Sequence, residues 1–138
     1  MIILDTNVLS ETLRTTSSTR VLEWMRSEPT SALFTTAITE SELLYGIASL
    51  PEGRRPQSLE SVVDLIFTED LAGRVLPFDS PAAREFADIA ASRCRARRPI
   101  SEADARIAAI ARSRGAALAT RNVGDFAGCQ LELIDPWV

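Results

Sequence analysis

The chain alternates short apolar runs with longer segments whose apolar residues recur at helical spacing. Short runs that are mostly apolar and bounded by polar residues are typical of buried parallel strands, and such strand-like runs occur at residues 1–4, 32–38, 75–78, 116–119 and 131–134. Strands that alternate with helices of ten or more residues predict an α/β fold, in which helices cover both faces of a mostly parallel sheet of about five strands. No internal repeat or low-complexity tract divides the chain, so we expect residues 1–138 to form a single domain.

Capping residues and helix breakers predict where the helices begin and end. Ser17 or Ser18 is expected to cap a helix that runs to Glu28, and a second helix is expected to begin at Thr39. A third should run over residues 57–70, a fourth should start at Ser80 and continue to an arginine cluster, and a fifth should run from Ser101 to near Gly115. Residues 51–56, which include Arg54 and Arg55, are predicted to form a flexible loop.

Two missing residue types narrow the possible chemistry. The chain has no His, which excludes Ser-His-Asp and Cys-His catalysis and zinc held by imidazole. All 15 basic residues are Arg, and the absence of Lys excludes a P-loop and Schiff-base chemistry. Carboxylates, hydroxyls, amides and arginines remain, and a hard cation such as Mg²⁺ or Mn²⁺ is the natural partner of such oxygen ligands.

Composition also predicts the cellular setting. Cys94 and Cys129 are too few for a disulfide framework, and we expect both to be reduced residues that pack in the interior. The N-terminus carries no basic segment before its short apolar run, and no apolar stretch approaches the ~20 residues that span a bilayer. We therefore expect a cytoplasmic protein.

Several acidic residues fall where a predicted strand ends or a predicted helix begins. Asp5 follows the first predicted strand, and Glu42 lies in the first turn of the helix that follows the second strand. Asp104 lies in the first turn of the helix that precedes the fourth strand, and Asp125 lies in the loop after that strand. Ligand sites in open α/β sheets lie beyond the carboxyl ends of the strands, so these acids are expected to meet in one crevice. Carboxylates that hold one or two divalent ions are what a metal-dependent phosphodiesterase requires.

Each of these acids also has a structural interpretation. Residues 39–42 match a capping box with Thr39 as the N-cap and Glu42 reaching back to its amide, and Asp5 is equally suited to cap a short helix. Asp104 is different, because it shares a helical face with apolar residues such as Ile107 and Ala108. A carboxylate in apolar surroundings requires an ion or hydrogen-bond donors, which favours a functional role for Asp104.

Polar neighbours of these acids offer supporting contacts. Thr6 and Asn7 are suited to orient carboxylates or to form the turn, and Thr120, Arg121 and Asn122 place a hydroxyl, a guanidinium and an amide after the fourth strand. Arg121 is predicted either to contact phosphate or to form a structural salt bridge.

A basic cluster lies on the segment that precedes the fifth helix. It consists of Arg93, Arg95, Arg97 and Arg98. These arginines are predicted either to be a solvated helix end or to contact phosphate, although the net charge of −4 argues against a general nucleic-acid coat.

Four segments taken together resemble PIN-domain ribonucleases, and most closely the VapC and FitB-like toxins of bacterial type II toxin–antitoxin modules. They span essentially the whole chain and comprise Ile3-Leu4-Asp5-Thr6-Asn7, Ile38-Thr39-Glu40-Ser41-Glu42-Leu43-Leu44-Tyr45-Gly46, Ser101-Glu102-Ala103-Asp104, and Ala119-Thr120-Arg121-Asn122 with Asp125 and the terminal Asp135-Pro136-Trp137. The resemblance implies a PIN-like three-layer α/β/α fold and a Mg²⁺- or Mn²⁺-dependent endoribonuclease that cleaves structured RNA such as tRNA.

The resemblance also assigns roles to individual residues. Asp5, Glu42 and Asp104 match the family's acidic positions, and Thr120 matches the hydroxyl placed near the attacking water. At the fourth position the family often has Asp, whereas this chain has Asn122, with an acid only at Asp125. On this resemblance Asp5 and Asp104 are expected to bind the principal ion, Glu42 to bind it or to orient the water, and Asp125 with Asn122 to complete a second, weaker site.

The resemblance further implies a homodimer that is neutralised by a cognate VapB/FitA-like antitoxin. Because the chain lacks a DNA-binding module, contact with operator DNA would be indirect, through the antitoxin. Two other classes remain open: a catalytically weak binding or oligomerisation module, and a receiver-like signalling domain with Asp79 as phosphoacceptor. The absence of Lys counts against the receiver.

Overall fold

A central sheet of five parallel strands, ordered β3-β2-β1-β4-β5, organises the protein in the computed structural model. The structure describes residues 1–53 and 57–138, so Arg54, Arg55 and Pro56 of the predicted loop lie outside the described residues. The strands are β1 (Ile2–Leu4), β2 (Leu33–Thr36), β3 (Val75–Leu76), β4 (Ala117–Ala119) and β5 (Leu133–Ile134). The predicted α/β class with about five parallel strands is confirmed.

Helices follow the strands as the sequence pattern predicts. They are α1 (Thr6–Thr12), α2 (Thr19–Ser27), α3 (Ala37–Ala48), α4 (Gln57–Leu65), α5 (Ser80–Arg95) and α6 (Glu102–Ser113). Short 3₁₀ turns occur at Thr30–Ala32 and Val123–Phe126, and a π-helical turn at Ile66–Asp70 extends α4. Ser18 and Ser101 are N-caps, as predicted, and Gly115 adopts the positive φ of 62° that ends α6. None of the helices among the described residues is long and apolar enough to cross a membrane.

The two faces of the sheet carry separate apolar cores, which produces three layers. Side chains of consecutive strand residues point to opposite faces, so Ile3 and Leu4 of β1 enter different clusters. Ile3 packs in the cluster that contains the buried residues of α5 and α6. Leu4 packs in the cluster formed with α1, α2 and α4. This arrangement is the α/β/α architecture expected for the fold.

The start of α3 differs from the prediction. Thr36 is the N-cap, and its Oγ1 accepts a hydrogen bond from the backbone N–H of Thr39 at 3.1 Å. The helix therefore begins at Ala37, three residues after Phe34, and β2 is shorter than the predicted run of residues 32–38. Thr39 is buried inside the helix, so the predicted capping box with Thr39 as N-cap was wrong. Two threonines three residues apart offer the same capping signal, and the local sequence did not distinguish them.

Two of the sequence expectations about single residues also need correction. Cys129 is buried and Cys94 is exposed, so only one of the two free cysteines packs in the interior. Asp79, the receiver-type acceptor candidate, instead caps α5 by accepting from the N–H of Ala82 and lies 3.5 Å from Arg114. Asp79 thus has a structural role at the start of α5.

Helices α5 and α6 form an antiparallel pair, and this fixes which end of α5 lies near the carboxyl edge of the sheet. The pair Asp79–Arg114 joins the start of α5 to the residue that follows α6. Because α6 leads into the beginning of β4, that end of the pair lies at the amino edge of the sheet. The end of α5 and the start of α6 therefore lie at the carboxyl edge.

Candidate active site

A crevice of about 450 Å³ opens at the carboxyl edge of the sheet, beside the ends of β1 and β4. After β1 the chain turns to the α1–α2 face, whereas the turn after β4 places Phe126 in the opposite core. Such a switch between neighbouring strands is where α/β sheets open a ligand crevice. The lining residues are Asp5, Thr6, Asn7, Ser10, Glu11, Arg14, Glu42, Asp104, Arg121, Asn122 and Trp137.

Asp5 is the buried carboxylate at the centre of this edge. The residue is only 4% exposed, and its backbone N–H donates to the carbonyl of Ala119 in the neighbouring strand. One carboxylate oxygen accepts from the N–H of Thr6 at 2.8 Å, and the other accepts from the Thr120 hydroxyl at 2.7 Å. Burial raises the pKa of Asp5 to about 6 in spite of these hydrogen bonds, and the nearby charges of Asp104 and Glu42 add to the increase.

Asp104 lies in the first turn of α6, as predicted, and its half-buried carboxylate lines the crevice. Burial raises the pKa of Asp104, a hydrogen bond with Ser101 opposes that effect, and the charges of Asp125 and Glu42 raise the pKa further. The sequence argument that a carboxylate beside the apolar face of α6 would be partly desolvated is therefore supported by the structure.

Glu42 reaches the crevice from α3, although not from the position expected. Because α3 begins at Ala37, Glu42 lies in the second turn and its side chain is exposed. Its Oε1 accepts a hydrogen bond from the Thr6 hydroxyl at 2.7 Å instead of reaching back to a helix N-terminus. The carboxylate is thus directed to the crevice by the residue that follows Asp5.

Polar groups after β4 hold Asp5 in place. The fully buried Thr120 hydroxyl donates to Asp5 and accepts from the backbone N–H of Asn122 at 3.1 Å. The Asn7 amide donates to Asp5 at 3.3 Å, and its oxygen accepts from the N–H of Arg121 at 3.2 Å. Asn7 therefore ties the chain after β1 to the chain after β4, and the Asn122 side chain borders the same crevice.

Arg121 is exposed and lies against Trp137, with its guanidinium carbon 5.1 Å from the ring centroid. Within residues 1–53 and 57–138 it forms no ion pair, so the structural salt bridge considered from the sequence is not observed. A guanidinium stacked on an aromatic face keeps its hydrogen-bond donors free for an anion.

Asp125 does not line the crevice but lies beside it. It is exposed in the turn Val123–Phe126, and its charge raises the pKa of Asp104. Buried Arg93 donates to the backbone carbonyl of Asp125 at 2.9 Å, which holds this turn against the end of α5. Arg93 therefore belongs neither to a solvated helix end nor to an exposed phosphate contact, the two interpretations that its sequence cluster allowed.

Four further residues line the crevice that were not predicted as site residues from the sequence: Ser10, Glu11, Arg14 and Trp137. Ser10 and Glu11 share one side of α1 with Asn7, at spacings of three and four residues, and Arg14 follows the end of the helix at a spacing of seven. A polar stripe at helical spacing next to Asp5 was the signal that could have identified them. Trp137 belonged to the terminal motif, but nothing local indicated that it would face the crevice.

The donors around the crevice fit a hard divalent cation. They are carboxylate, hydroxyl and amide oxygens, with no His and no Cys among the lining residues. Within the described part of the chain, no three acidic or cysteine side chains are gathered closely enough to form a preformed metal-binding group. The acids nevertheless affect one another, since Glu42 raises the pKa of both Asp5 and Asp104. Mutual repulsion of this kind is what a bound cation relieves.

Fold and site define an α/β protein with an oxygen-lined acidic crevice at the switch point of a parallel sheet. The family model of the PIN domain matches residues 2–127, and this chain belongs to that family. The chain is 39% identical over 137 residues to "VapC ribonuclease Y4jK" of Sinorhizobium fredii, which covers 99% of this chain and 98% of the relative. It is 36% identical to "Toxin FitB" of Neisseria gonorrhoeae, with 99% of both chains covered.

A solved structure gives the same picture of the fold. The structure of FitAB bound to an IR36 DNA fragment superposes with a TM-score of 0.92 at 36% identity, and the match covers 100% of this chain and 96% of the other. The PIN-like architecture expected from the resemblance is confirmed.

Proposed function

We propose that this protein, with residues 1–138 as one PIN domain, is a Mg²⁺- or Mn²⁺-dependent endoribonuclease and the toxin of a type II toxin–antitoxin system. Family membership and the similarity to a VapC ribonuclease and a FitB toxin support the nuclease class. The observation that carries the proposal is the convergence of Asp5, Glu42 and Asp104 on one crevice, where their charges oppose one another. We propose structured RNA such as tRNA as the substrate.

The three crevice carboxylates would hold the principal ion, and Asn122 with Asp125 would complete a weaker second site. A divalent ion supplies charge that activates water and stabilises the leaving oxygen of a phosphodiester. Asp5 contributes a negative charge in a buried position, and that charge is fully present above its pKa of about 6. Binding of a cation is therefore expected to strengthen as the pH rises through 6.

The neighbouring groups have distinct tasks in this proposal. Thr120 and Asn7 donate to the same oxygen of Asp5. These two hydrogen bonds fix the orientation of the carboxylate, which still lines the crevice. Thr6 orients Glu42 through its hydroxyl. Arg121, held over Trp137, is placed to pair with a phosphate of the RNA.

The proposed reaction is hydrolysis with water as the nucleophile. Water attacks phosphorus in line with the bond to the ribose 3′-oxygen, and that bond breaks. The products are a 3′-hydroxyl and a 5′-phosphate, since the oxygen of water remains on phosphorus and the leaving oxygen gains a proton. Attack by water also leaves no role for a neighbouring 2′-hydroxyl nucleophile, so a 2′,3′-cyclic phosphate end would contradict this chemistry.

The test of this function is cleavage of purified tRNA and of an unstructured RNA with Mg²⁺ or Mn²⁺. Asp5→Asn and EDTA should each abolish cleavage, and Asp79→Asn should retain it. Asp79 is a matched control because it too is an N-cap aspartate, but at the opposite edge of the sheet. Cleavage that survives both EDTA and Asp5→Asn would refute the proposal.

An apolar groove next to the crevice supports a cognate VapB/FitA-like antitoxin as partner. The groove, about 460 Å³, shares Thr6, Ser10, Arg14 and Glu42 with the crevice. Its apolar lining comes from α3, α4 and the residues that follow α1 and α3. A segment with apolar side chains and one arginine would fit both, and its arginine would compete with the ion for the carboxylates. Contact with operator DNA is proposed to occur through the antitoxin.

The groove can be blocked without disturbing the core. Gly46 lines it, and a Cβ at this position would meet no atom within 4 Å. Gly46→Gln should weaken binding of the cognate antitoxin, whereas Ser49→Gln, at the exposed end of α3, should not. Equal binding by both variants would exclude this groove as the antitoxin site.

We also propose a homodimer. Large apolar side chains are exposed on the adjacent helices α3 and α4, and they are Leu44 (45%), Tyr45 (75%), Val62 (46%) and Leu65 (53%). Light scattering of the purified protein tests this, and a monomer at micromolar concentration would contradict it.

A further inference from the structure

The end of α5 and the turn that follows it expose three arginines within four residues. Arg95, Arg97 and Arg98 are all exposed, and none forms an ion pair in the portion of the chain that the structure describes. Arg95 makes one hydrogen bond, to the Ser92 hydroxyl at 3.3 Å. In a chain of net charge −4, three neighbouring unpaired cations are a local exception.

The backbone of this turn is unusual for the residues that form it. Arg97 has φ of 58°, the left-handed conformation that ends many helices and is normally occupied by Gly. A side chain with a Cβ is disfavoured there by roughly 1 kcal/mol or more. The same conformation at the end of α6 is taken by Gly115. Arg at position 97 is therefore less favourable for stability than Gly would be, and among the described residues Gln130 is the other non-Gly residue with this φ.

Arg93 anchors this turn to the edge of the active site. Its Nε donates to the carbonyl of Arg98 at 2.6 Å, and its Nη1 donates to the carbonyls of Asp125 and Ala127, each at 2.9 Å. A single buried guanidinium thus joins the basic turn to the turn that carries Asp125. The next helix, α6, begins a few residues later and presents Asp104 to the crevice.

The position of this arginine-bearing turn indicates which kind of ligand its side chains bind. It lies at the carboxyl edge of the sheet, on the Asp104 side of the crevice, whereas Arg14 and Arg121 line the crevice itself. A ligand that contacts both places must be long and carry repeated negative charge, and it must present one phosphodiester to the acids. A nucleic-acid backbone has these properties, and an exposed basic patch is the usual electrostatic site for it.

We infer that Arg95, Arg97 and Arg98, here called the basic turn, bind the phosphate backbone of the RNA substrate several nucleotides away from the bond that is cleaved. This inference rests on the proposed ribonuclease function. It assigns the basic turn to substrate affinity and not to chemistry, because its side chains lie outside the residues that line the crevice.

The test compares two triple variants that remove the same charge. One is Arg95→Gln/Arg97→Gln/Arg98→Gln, and the control is Arg20→Gln/Arg26→Gln/Arg84→Gln, three exposed arginines on other surfaces. Binding of fluorescently labelled tRNA is measured in EDTA, so that no cleavage occurs, over a range of salt concentrations. Three lost phosphate contacts should weaken binding by about tenfold or more at low salt and reduce the log–log salt slope by about two. The control should change affinity by less than about twofold, as expected for distant charges in salt.

Cleavage assays with Mn²⁺ separate this inference from the proposed function. The basic-turn variant should raise KM for tRNA while kcat, and hydrolysis of the small phosphodiester bis(p-nitrophenyl) phosphate, stay unchanged. Equal RNA affinity in the two triple variants would overturn the inference, even if the wild type cleaves RNA. A wild type that binds RNA through the basic turn but cleaves none would overturn the proposed function instead.

Arg97→Gly tests the same inference with a substitution that is not expected to destabilise the fold. Gly is favoured in the left-handed conformation, so Tm should stay the same or rise. Affinity for tRNA should nevertheless fall by roughly two- to threefold, with the salt slope reduced by about one. A variant that is more stable and binds RNA as tightly as the wild type would contradict a role for Arg97. Loss of antitoxin binding without loss of RNA binding would likewise overturn the assignment.

Discussion

Replacing Asp5 by Asn should stabilise the metal-free protein, although Asp5 caps a helix. Burial holds the pKa of Asp5 at about 6, against 3.8 for the exposed carboxyl. Folding at neutral pH therefore buries a negative charge, which lowers the free energy of unfolding by about 3 kcal/mol. Asn has nearly the same shape and removes the charge, and it is an equally good N-cap.

The expected gain is smaller than the full electrostatic cost. Asn has a single accepting oxygen, and when that oxygen keeps the hydrogen bond from the N–H of Thr6, the NH2 group that replaces the other carboxylate oxygen accepts from neither Thr120 nor Asn7. The Thr120 hydroxyl can turn and accept from this NH2 group, whereas the hydrogen bond from Asn7 is lost. Losing one such hydrogen bond costs about 1 kcal/mol. A net stabilisation of about 1–2 kcal/mol remains, which corresponds to a rise in Tm of roughly 4–8 °C for a chain of this size.

The assay is thermal unfolding followed by circular dichroism in EDTA between pH 4 and pH 8. Because the folded-state pKa is raised, Asp5 favours folding at low pH, and this contribution is lost as the pH rises through about 6. The Tm of Asp5→Asn should therefore exceed that of the wild type at pH 7–8, and the difference should shrink towards pH 4. Asp79→Asn, the other N-cap aspartate, should show no such gain, because Asp79 also loses its contact with Arg114.

A lower Tm for Asp5→Asn than for the wild type at pH 7–8 would refute the reasoning. The carboxylate would then stabilise the fold as a cap, and its burial would not indicate a site that is preserved for a ligand. Excess Mn²⁺ provides the complementary result: it should stabilise the wild type and leave Asp5→Asn unchanged.

Three further predictions concern the groups that hold the site. Thr120→Val should raise the pKa of Asp5 above 6, because the carboxylate loses the donor at 2.7 Å, and NMR titration of the Asp5 carboxyl carbon measures this; an unchanged pKa would contradict the assigned contact. Arg93→Met should lower stability by about 2–4 kcal/mol in urea unfolding, since three backbone carbonyls lose the buried guanidinium that donates to them; a change below about 1 kcal/mol would show that the two turns do not depend on Arg93. Trp137→Ala should raise KM for tRNA by a few fold while Mn²⁺ affinity stays constant, because Arg121 loses the ring it lies against; weakened Mn²⁺ binding would instead place Trp137 among the residues that support the ion.

The sequence predicted the sheet and most helix boundaries because those signals are local. Apolar runs identify buried strands, and Ser18, Ser101 and Gly115 act through hydrogen bonds to their own neighbours in the chain. The start of α3 was misplaced because Thr36 and Thr39 carry the same local signal, and tertiary packing decides between them. Thr39 is buried beside Thr6, with 3.1 Å between their hydroxyl oxygens, and this contact spans 33 residues.

The candidate site was predictable in its main acids and less so in its supporting residues. Asp5 follows a strand, Asp104 lies in the first turn of a helix and Glu42 lies one turn further into its helix than expected, and the topology of a parallel sheet brings these positions together. The contacts of Thr120 with Asp5 and of Arg93 with the Asp125 turn depend on distances set by packing across the whole fold. Arg93 looked like one more cation in a basic cluster, and its burial came only from the structure.

The central claim is that the crevice acids bind one divalent ion, and calorimetric titration with Mn²⁺ tests it most directly. Asp104→Asn should abolish the binding seen in the wild type, whereas Glu102→Gln, which changes an exposed acid in the same turn of α6, should leave it unchanged. Equal Mn²⁺ binding by the wild type and Asp104→Asn, or no binding by any of the three proteins, would contradict the account.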